Sequence, residues 1–221
     1  MSISRENLAQ AIDHTLLKPE ARVEDILRLC SEAAEYGFKA VCVQPCYVST
    51  CVKALEGTGV KVATVIGFPH GANCPETKAY EAKLALEQGA RELDMVINIG
   101  ALKSGETETV LKDITGVVAE AAKYPSAIVK VIIETALLTR EEKIQACQLA
   151  VIAGANYVKT STGFTGAGAT LDDVKLMVQT VGEKAKVKAS GGIRTREQAL
   201  EYLEVGASRL GTSSGISIMQ V

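Results

Sequence analysis

One unit recurs along this chain of 221 residues. A segment with apolar positions three and four apart ends in glycine plus a small or apolar residue, and a run rich in valine and isoleucine follows at once. Gly37-Phe38 precedes Ala40-Val41-Cys42-Val43, and Gly59-Val60 precedes Val62-Ala63-Thr64-Val65-Ile66. Gly89-Ala90 precedes Leu93-Asp94-Met95-Val96-Ile97, Gly154-Ala155 precedes Tyr157-Val158-Lys159, and Gly206-Ala207 precedes Ser208-Arg209-Leu210-Gly211. Two more such runs cover residues 127–133 and 186–189, and Ile12-Asp13-His14-Thr15-Leu16 opens the series, stopped at Lys18-Pro19. The apolar runs read as buried parallel strands, the segments between them as helices.

The intervening segments carry their own start and stop signals. Val23, Ile26, Leu27, Leu29 and Cys30 share one helical face, and Gly37 stands where a left-handed residue closes a helix. Thr139-Arg140-Glu141-Glu142 and Thr195-Arg196-Glu197-Gln198 read as capping boxes, and Thr170 precedes two aspartates that suit a first helical turn. The first ten residues predict a short helix capped by Ser2 or Ser4. Eight strands alternating with helices predict one α/β domain over residues 1–221, a (β/α)8 TIM barrel with a short N-terminal helix. A doubly wound open sheet is the alternative.

Composition narrows the function classes. The chain is 47% hydrophobic with no tryptophan, so aliphatic residues must build the core. A net charge of -2 without a basic stripe argues against nucleic acid as a partner. No apolar run approaches the roughly 18 residues of a membrane span, and the polar N-terminus lacks the apolar core of a signal peptide. A cytoplasmic location follows as the expectation. The six cysteines are then expected to be reduced, buried thiols, and Cys42, Cys46 and Cys51 lack the spacing of a zinc site.

In a barrel of this kind chemistry gathers at the C-terminal ends of strands. There the fourth run carries Asp94, the fifth Lys130 and Glu134, the sixth Lys159 and the seventh Lys188. By alternation Lys130, Ile132 and Glu134 share a face. Lysine is rarely buried without a reason. Burial disfavours its charged form and turns the amine into a nucleophile near neutral pH. A second lysine adds to that effect, and an aspartate can move protons. This combination suits covalent amine catalysis on a carbonyl. The plain alternative is a salt-bridged plug inside the barrel, and Lys130 suits it best.

Two glycine loops suit an anion. Ser190-Gly191-Gly192-Ile193-Arg194 follows the seventh run and Gly211-Thr212-Ser213-Ser214-Gly215 the eighth, where many barrels bind phosphate. Only two histidines are present, too few for a histidine-ligated metal centre, and His70 reads as a solvated loop residue.

These residues, taken with their neighbours, resemble the class I, Schiff-base-forming deoxyribose-phosphate aldolase family. The likeness covers nearly the whole chain. It is carried by Ile12-Asp13-His14-Thr15-Leu16-Leu17-Lys18-Pro19, Val65-Ile66-Gly67-Phe68-Pro69-His70-Gly71, Lys130-Val131-Ile132-Ile133-Glu134-Thr135, Tyr157-Val158-Lys159-Thr160-Ser161-Thr162-Gly163-Phe164 and Val187-Lys188-Ala189-Ser190-Gly191-Gly192-Ile193-Arg194. The resemblance implies reversible joining of acetaldehyde and glyceraldehyde 3-phosphate to 2-deoxyribose 5-phosphate. It implies Lys159 as the Schiff-base lysine and Lys188 and Asp94 as proton-transfer residues. Gly191, Gly192, Ser213 and Ser214 are implied at the phosphate, with Thr15 and Cys42 near the sugar. It further implies no metal, no cofactor and a homodimer. Phe164 stands where some relatives place a lysine near the phosphate, so anion binding is expected to lean on backbone amides. Some relatives end in a tail tyrosine that reaches the site; here the last tyrosine is Tyr202.

Overall fold

A computed structural model describes residues 3–220. In chain order it runs α1 (Arg5–Ala9), β1 (Ile12–Leu16), α2 (Val23–Tyr36), β2 (Ala40–Val43), α3 (Val48–Ala54), β3 (Lys61–Ile66), α4 (Pro75–Glu87), β4 (Glu92–Val96), α5 (Ile99–Lys103) and α6 (Thr107–Ala121). It continues with β5 (Ile128–Ile132), α7 (Arg140–Ile152), β6 (Tyr157–Lys159), α8 (Leu171–Val181), β7 (Lys186–Ser190), α9 (Arg196–Glu204), β8 (Arg209–Thr212) and α10 (Gly215–Met219). The eight strands are parallel and close in sequence order, with Asp13 of β1 level with Ala40 of β2 on one side and Gly211 of β8 on the other. This is the single-domain TIM barrel expected from the strand and helix alternation, not an open sheet.

The predicted caps form. Thr139 and Thr195 each accept the backbone N–H of the residue three on, while the Glu142 and Gln198 side chains accept N–H groups at the caps. Ser4, the N-cap of α1, accepts the N–H of Asn7; Ser2 lies outside the described residues. Gly37 closes α2 at φ +66°, a conformation that a Cβ would strain. The short helices α3 and α5 were not legible, because neither carries an apolar period long enough to read.

Strand alternation sorts the side chains into two compartments. Val41 and Val43, Leu93 and Met95, Val129 and Val131, Val158, Val187 and Leu210 face outward into the layer between strands and helices, all buried. Each such aliphatic contributes about 1.5–3 kcal/mol when fully buried. The opposite positions point into the barrel. Toward β2 and β3 these are small and apolar, with Ala40, Cys42, Ala63 and Val65 packing together with Leu17. On β4 through β8, and on β1, they include seven charged side chains: Glu92, Asp94, Lys130, Lys159, Lys188, Arg209 and Asp13.

Two expectations change. Cys30, Cys42, Cys51 and Cys147 are buried thiols, but Cys46 and Cys74 are exposed, since each lies in a loop or turn preceding a helix rather than on a packed face. Glu134 does not continue the face of Lys130 and Ile132. β5 stops at Ile132, and Glu134 takes φ +56°, which breaks the alternation.

Candidate active site

The inward ions form one network. Asp94 sits on β4, level with Lys130 on β5, and Lys159 on β6 is level with Lys188 on β7. Lys130 donates to Oδ1 of Asp94 at 2.8 Å. Lys159 and Lys188 both donate to Oδ2, at 2.8 and 2.7 Å. Lys188 also donates to Asp13, and Lys130 pairs with Glu92 at 2.6 Å. Beneath them Arg209 bridges Asp13 at 2.5 Å and Glu92 at 3.0 Å, its guanidinium over the Tyr157 ring. Four cations thus meet three carboxylates. Such a cluster, shut off from water, is eased by the loss of one proton from a lysine.

The surroundings select Lys159 for that loss. Burial lowers its pKa; Asp94 opposes the change and the Lys188 ammonium adds to it, and the result lies below the ordinary lysine value. Burial acts on Lys188 too, but Asp13 and Asp94 outweigh it and hold that pKa above the ordinary value. Lys130 goes the same way, held up by Asp94, Glu92 and Asp13 against burial. Burial also opposes the charge of Asp94, yet Lys130, Lys159 and Lys188 keep its carboxyl well below the usual carboxylate range. The sequence-based pairing of two lysines and an aspartate is therefore a real cluster. The plug expected of Lys130 is real as well, because Lys130, Glu92 and Arg209 lie under it.

Above Lys159 opens a cavity of about 380 Å³. The strand ends and following loops of β6 (Thr162, Gly163, Phe164), β7 (Ser190 to Arg194), β8 (Gly211 to Ser213) and β1 (Thr15 to Lys18) line it. Lys159 is the one member of the ion network in that lining, although only 3% exposed. The first two loops meet backbone to backbone: a Cβ on Gly168 would stand 2.1 Å from the Gly191 carbonyl oxygen. The N–H of Ala169 donates to the carbonyls of Ser190 and Gly191, both at 3.1 Å. Glu134 braces the β6 loop from behind, accepting the Thr162 N–H at 3.1 Å and its hydroxyl at 2.5 Å.

Of the residues singled out from sequence, Lys159, Thr15, Gly191, Gly192 and Ser213 line the cavity, while Lys188 and Asp94 lie directly beneath it. Ser214 does not line it, and its N–H already donates to Thr212 Oγ1 at 2.9 Å. Cys42 is fully buried in the apolar half of the interior, its thiol pushed up to about 11 by burial and by Asp94. His70 is an exposed loop residue outside the lining. Sequence reasoning missed Asp13, Glu92, Arg209 and Lys18. The signal for the first three was there, since each is a charged residue alternating with buried aliphatics in a short strand.

A parallel barrel with a buried lysine of lowered pKa at the floor of its carboxyl-end cavity has the arrangement that enzymes working through an amine nucleophile require. The comparisons with known proteins are consistent with this class. The model of the DeoC/LacD family aldolases matches residues 7–220, and the chain belongs to that family. It is 60% identical over 219 residues to the deoxyribose-phosphate aldolase of Carboxydothermus hydrogenoformans, covering 99% of this chain and 96% of that protein. A relative of the same name from a Geobacillus species is 59% identical, covering 97% and 95%. Among solved structures, the tetrameric deoxyribose phosphate aldolase from Aeropyrum pernix superposes with a TM-score of 0.91 at 38% identity, covering 98% of this chain and 91% of that one.

Proposed function

We propose that this chain is a deoxyribose-phosphate aldolase, cleaving 2-deoxy-D-ribose 5-phosphate reversibly to acetaldehyde and D-glyceraldehyde 3-phosphate through a Schiff base on Lys159. The observation that carries the reading is the cluster of four basic side chains and three carboxylates, of which only Lys159, the lysine whose pKa is lowered, opens into the cavity. The neutral amine adds to the C1 aldehyde, and loss of water from the carbinolamine gives an iminium. Removal of the proton on the C3 hydroxyl then breaks the C2–C3 bond. Its electron pair enters the iminium to form an enamine, and glyceraldehyde 3-phosphate departs. Protonation at C2 and hydrolysis release acetaldehyde and restore the amine. Lys188, charged and next to the reacting nitrogen, supplies and recovers protons. Asp94 rests ionised, so its part is to aim Lys159 and Lys188 at the same point, taking up a proton only in passing from one amine to the other.

The phosphate fits the loops after β7 and β8, on Gly191, Gly192 and Ser213, with Thr15 close to the sugar. Ser214 contributes to shaping that loop. Cys42 acts as packing against the lysine side of the interior. No metal or cofactor enters any step, and the assembly expected is a cytoplasmic homodimer, which sedimentation of the purified chain tests. The test of the chemistry is acetaldehyde with cyanoborohydride. It should leave one ethyl group on Lys159, and Lys159→Ala should lose both the adduct and the cleavage. An adduct on surface lysines alone refutes the reading.

A further inference from the structure

Every ionisable side chain lining the cavity is basic, namely Lys18, Lys159 and Arg194, with no carboxylate beside them. In a chain of net charge -2 this is a local excess suited to an anionic substrate. Lys159 is engaged with Asp94, which leaves two cations for the substrate's far end. Barrel order decides where they stand. The cavity is bounded by consecutive loops after β6, β7, β8 and β1, because β8 pairs with β1. The two glycine loops are therefore flanked by Phe164 on one side and Lys18 on the other.

The flanks differ in kind. Phe164 presents a ring that is 48% exposed and meets Phe68 edge-on at 5.2 Å between centroids, so it offers no charge. Lys18 is exposed, and its ammonium has no ion pair or hydrogen bond among the described residues. Its backbone is nevertheless fixed. The Lys18 carbonyl accepts the Ala21 N–H at 3.1 Å, the neighbouring Leu17 carbonyl accepts Gln44 Nε2 at 3.0 Å, and Pro19 stiffens the next step. An unpaired lysine on an anchored loop, at the rim of a cavity with glycine loops, is placed to close over an anion bound there.

We infer that Lys18 is a specificity-determining residue, closing on the terminal phosphate from the β1 side and so separating phosphorylated from unphosphorylated substrates. The inference rests on the proposed function for the identity of the substrate, and on the cavity alone for its charge. It also changes the expectation that anion binding leans on backbone amides, since one flank brings a mobile charge of its own.

The test is Lys18→Met, with Lys18→Arg as the charge-conserving partner. In Lys18→Met the kcat/KM for 2-deoxyribose 5-phosphate should fall about tenfold, about 1.4 kcal/mol, carried by KM. The kcat/KM for unphosphorylated 2-deoxyribose should change by less than about twofold. The Kd for inorganic phosphate, measured by titration calorimetry on the unreacted chain, should rise about tenfold, and Lys18→Arg should restore both quantities. Equal losses on both sugars, an unchanged phosphate Kd, or no recovery in Lys18→Arg would each overturn the inference. Absence of an ethyl adduct on Lys159 in the unsubstituted chain would instead overturn the aldolase reading, and the phosphate titration would still decide Lys18.

Discussion

Replacing Lys188 by leucine separates two explanations of how Lys159 becomes reactive. Lys159 and Lys188 donate to the same oxygen of Asp94, at 2.8 and 2.7 Å. Their nitrogens are therefore inside the roughly 4–6 Å over which a like charge moves a pKa. At about 5 Å and an effective dielectric of about 20, the repulsion is on the order of 3 kcal/mol, or about two pKa units. The substitution also frees Asp94 from one of its three ammonium partners and strengthens its hold on charged Lys159. Both changes raise the Lys159 pKa. At pH 7 the neutral fraction should fall on the order of a hundredfold, since each unit is tenfold. Imine formation should fall with it and return as the pH climbs toward 10.

The assay is the rate of ethyl incorporation at Lys159 from acetaldehyde and cyanoborohydride between pH 6 and 10, read by mass spectrometry beside the unsubstituted chain. Thermal melts of both proteins fix the temperature, because Asp13 keeps Arg209 at 2.5 Å and Lys130 at 3.7 Å but loses Lys188. Aldol turnover should stay low even at high pH, because the proposed proton donor is gone. A trapping profile with unchanged pH dependence would refute the reasoning. Burial alone would then set the Lys159 pKa, and Lys188 would serve proton transfer only.

Three further outcomes follow from the same geometry. Lys130→Met strips Asp94 and Glu92 of partners at 2.8 and 2.6 Å, and should cost on the order of 3–5 kcal/mol in urea denaturation; a loss below about 1 kcal/mol would contradict its role as a plug. Ser213→Glu puts a carboxylate against the loop after β8, and should raise KM for the phosphorylated sugar by about tenfold or more while sparing 2-deoxyribose; equal effects would move the phosphate elsewhere. Asp13 and Asp94 have carboxyl pKa values below the unfolded value of about 3.9, so their stabilisation is complete above that pH and is lost as the pH falls toward the folded values. The melting temperature should therefore lose this contribution only below about pH 4, and Asp94→Asn should flatten the acid limb; a limb that is unchanged in Asp94→Asn would show that Asp94 does not contribute to it.

What could be read from the chain and what could not divide along a physical line. The barrel was legible because each strand announces itself locally: a glycine closes a helix, and aliphatics at alternate positions pack outward. Val41, Leu93, Val129, Val158 and Leu210 all lie where that pattern puts them. The interior was only half legible, because its partners come from strands far apart in sequence. Lys188 meets Asp13 across 175 positions and Arg209 meets Glu92 across 117, and no local pattern reports such a pairing. Alternation shows that these side chains point inward, but it cannot count the charges that will share the space. That count decides the chemistry. With Lys159, Lys188 and Asp94 alone, either lysine could be the nucleophile. Asp13 removes the ambiguity by giving Lys188 a carboxylate that Lys159 lacks, while Glu92 and Arg209 occupy Lys130 from below. The lysine left with one shared carboxylate oxygen is also the one that opens to the cavity, so the proposal of Lys159 as nucleophile rests on the distribution of three carboxylates among four basic side chains.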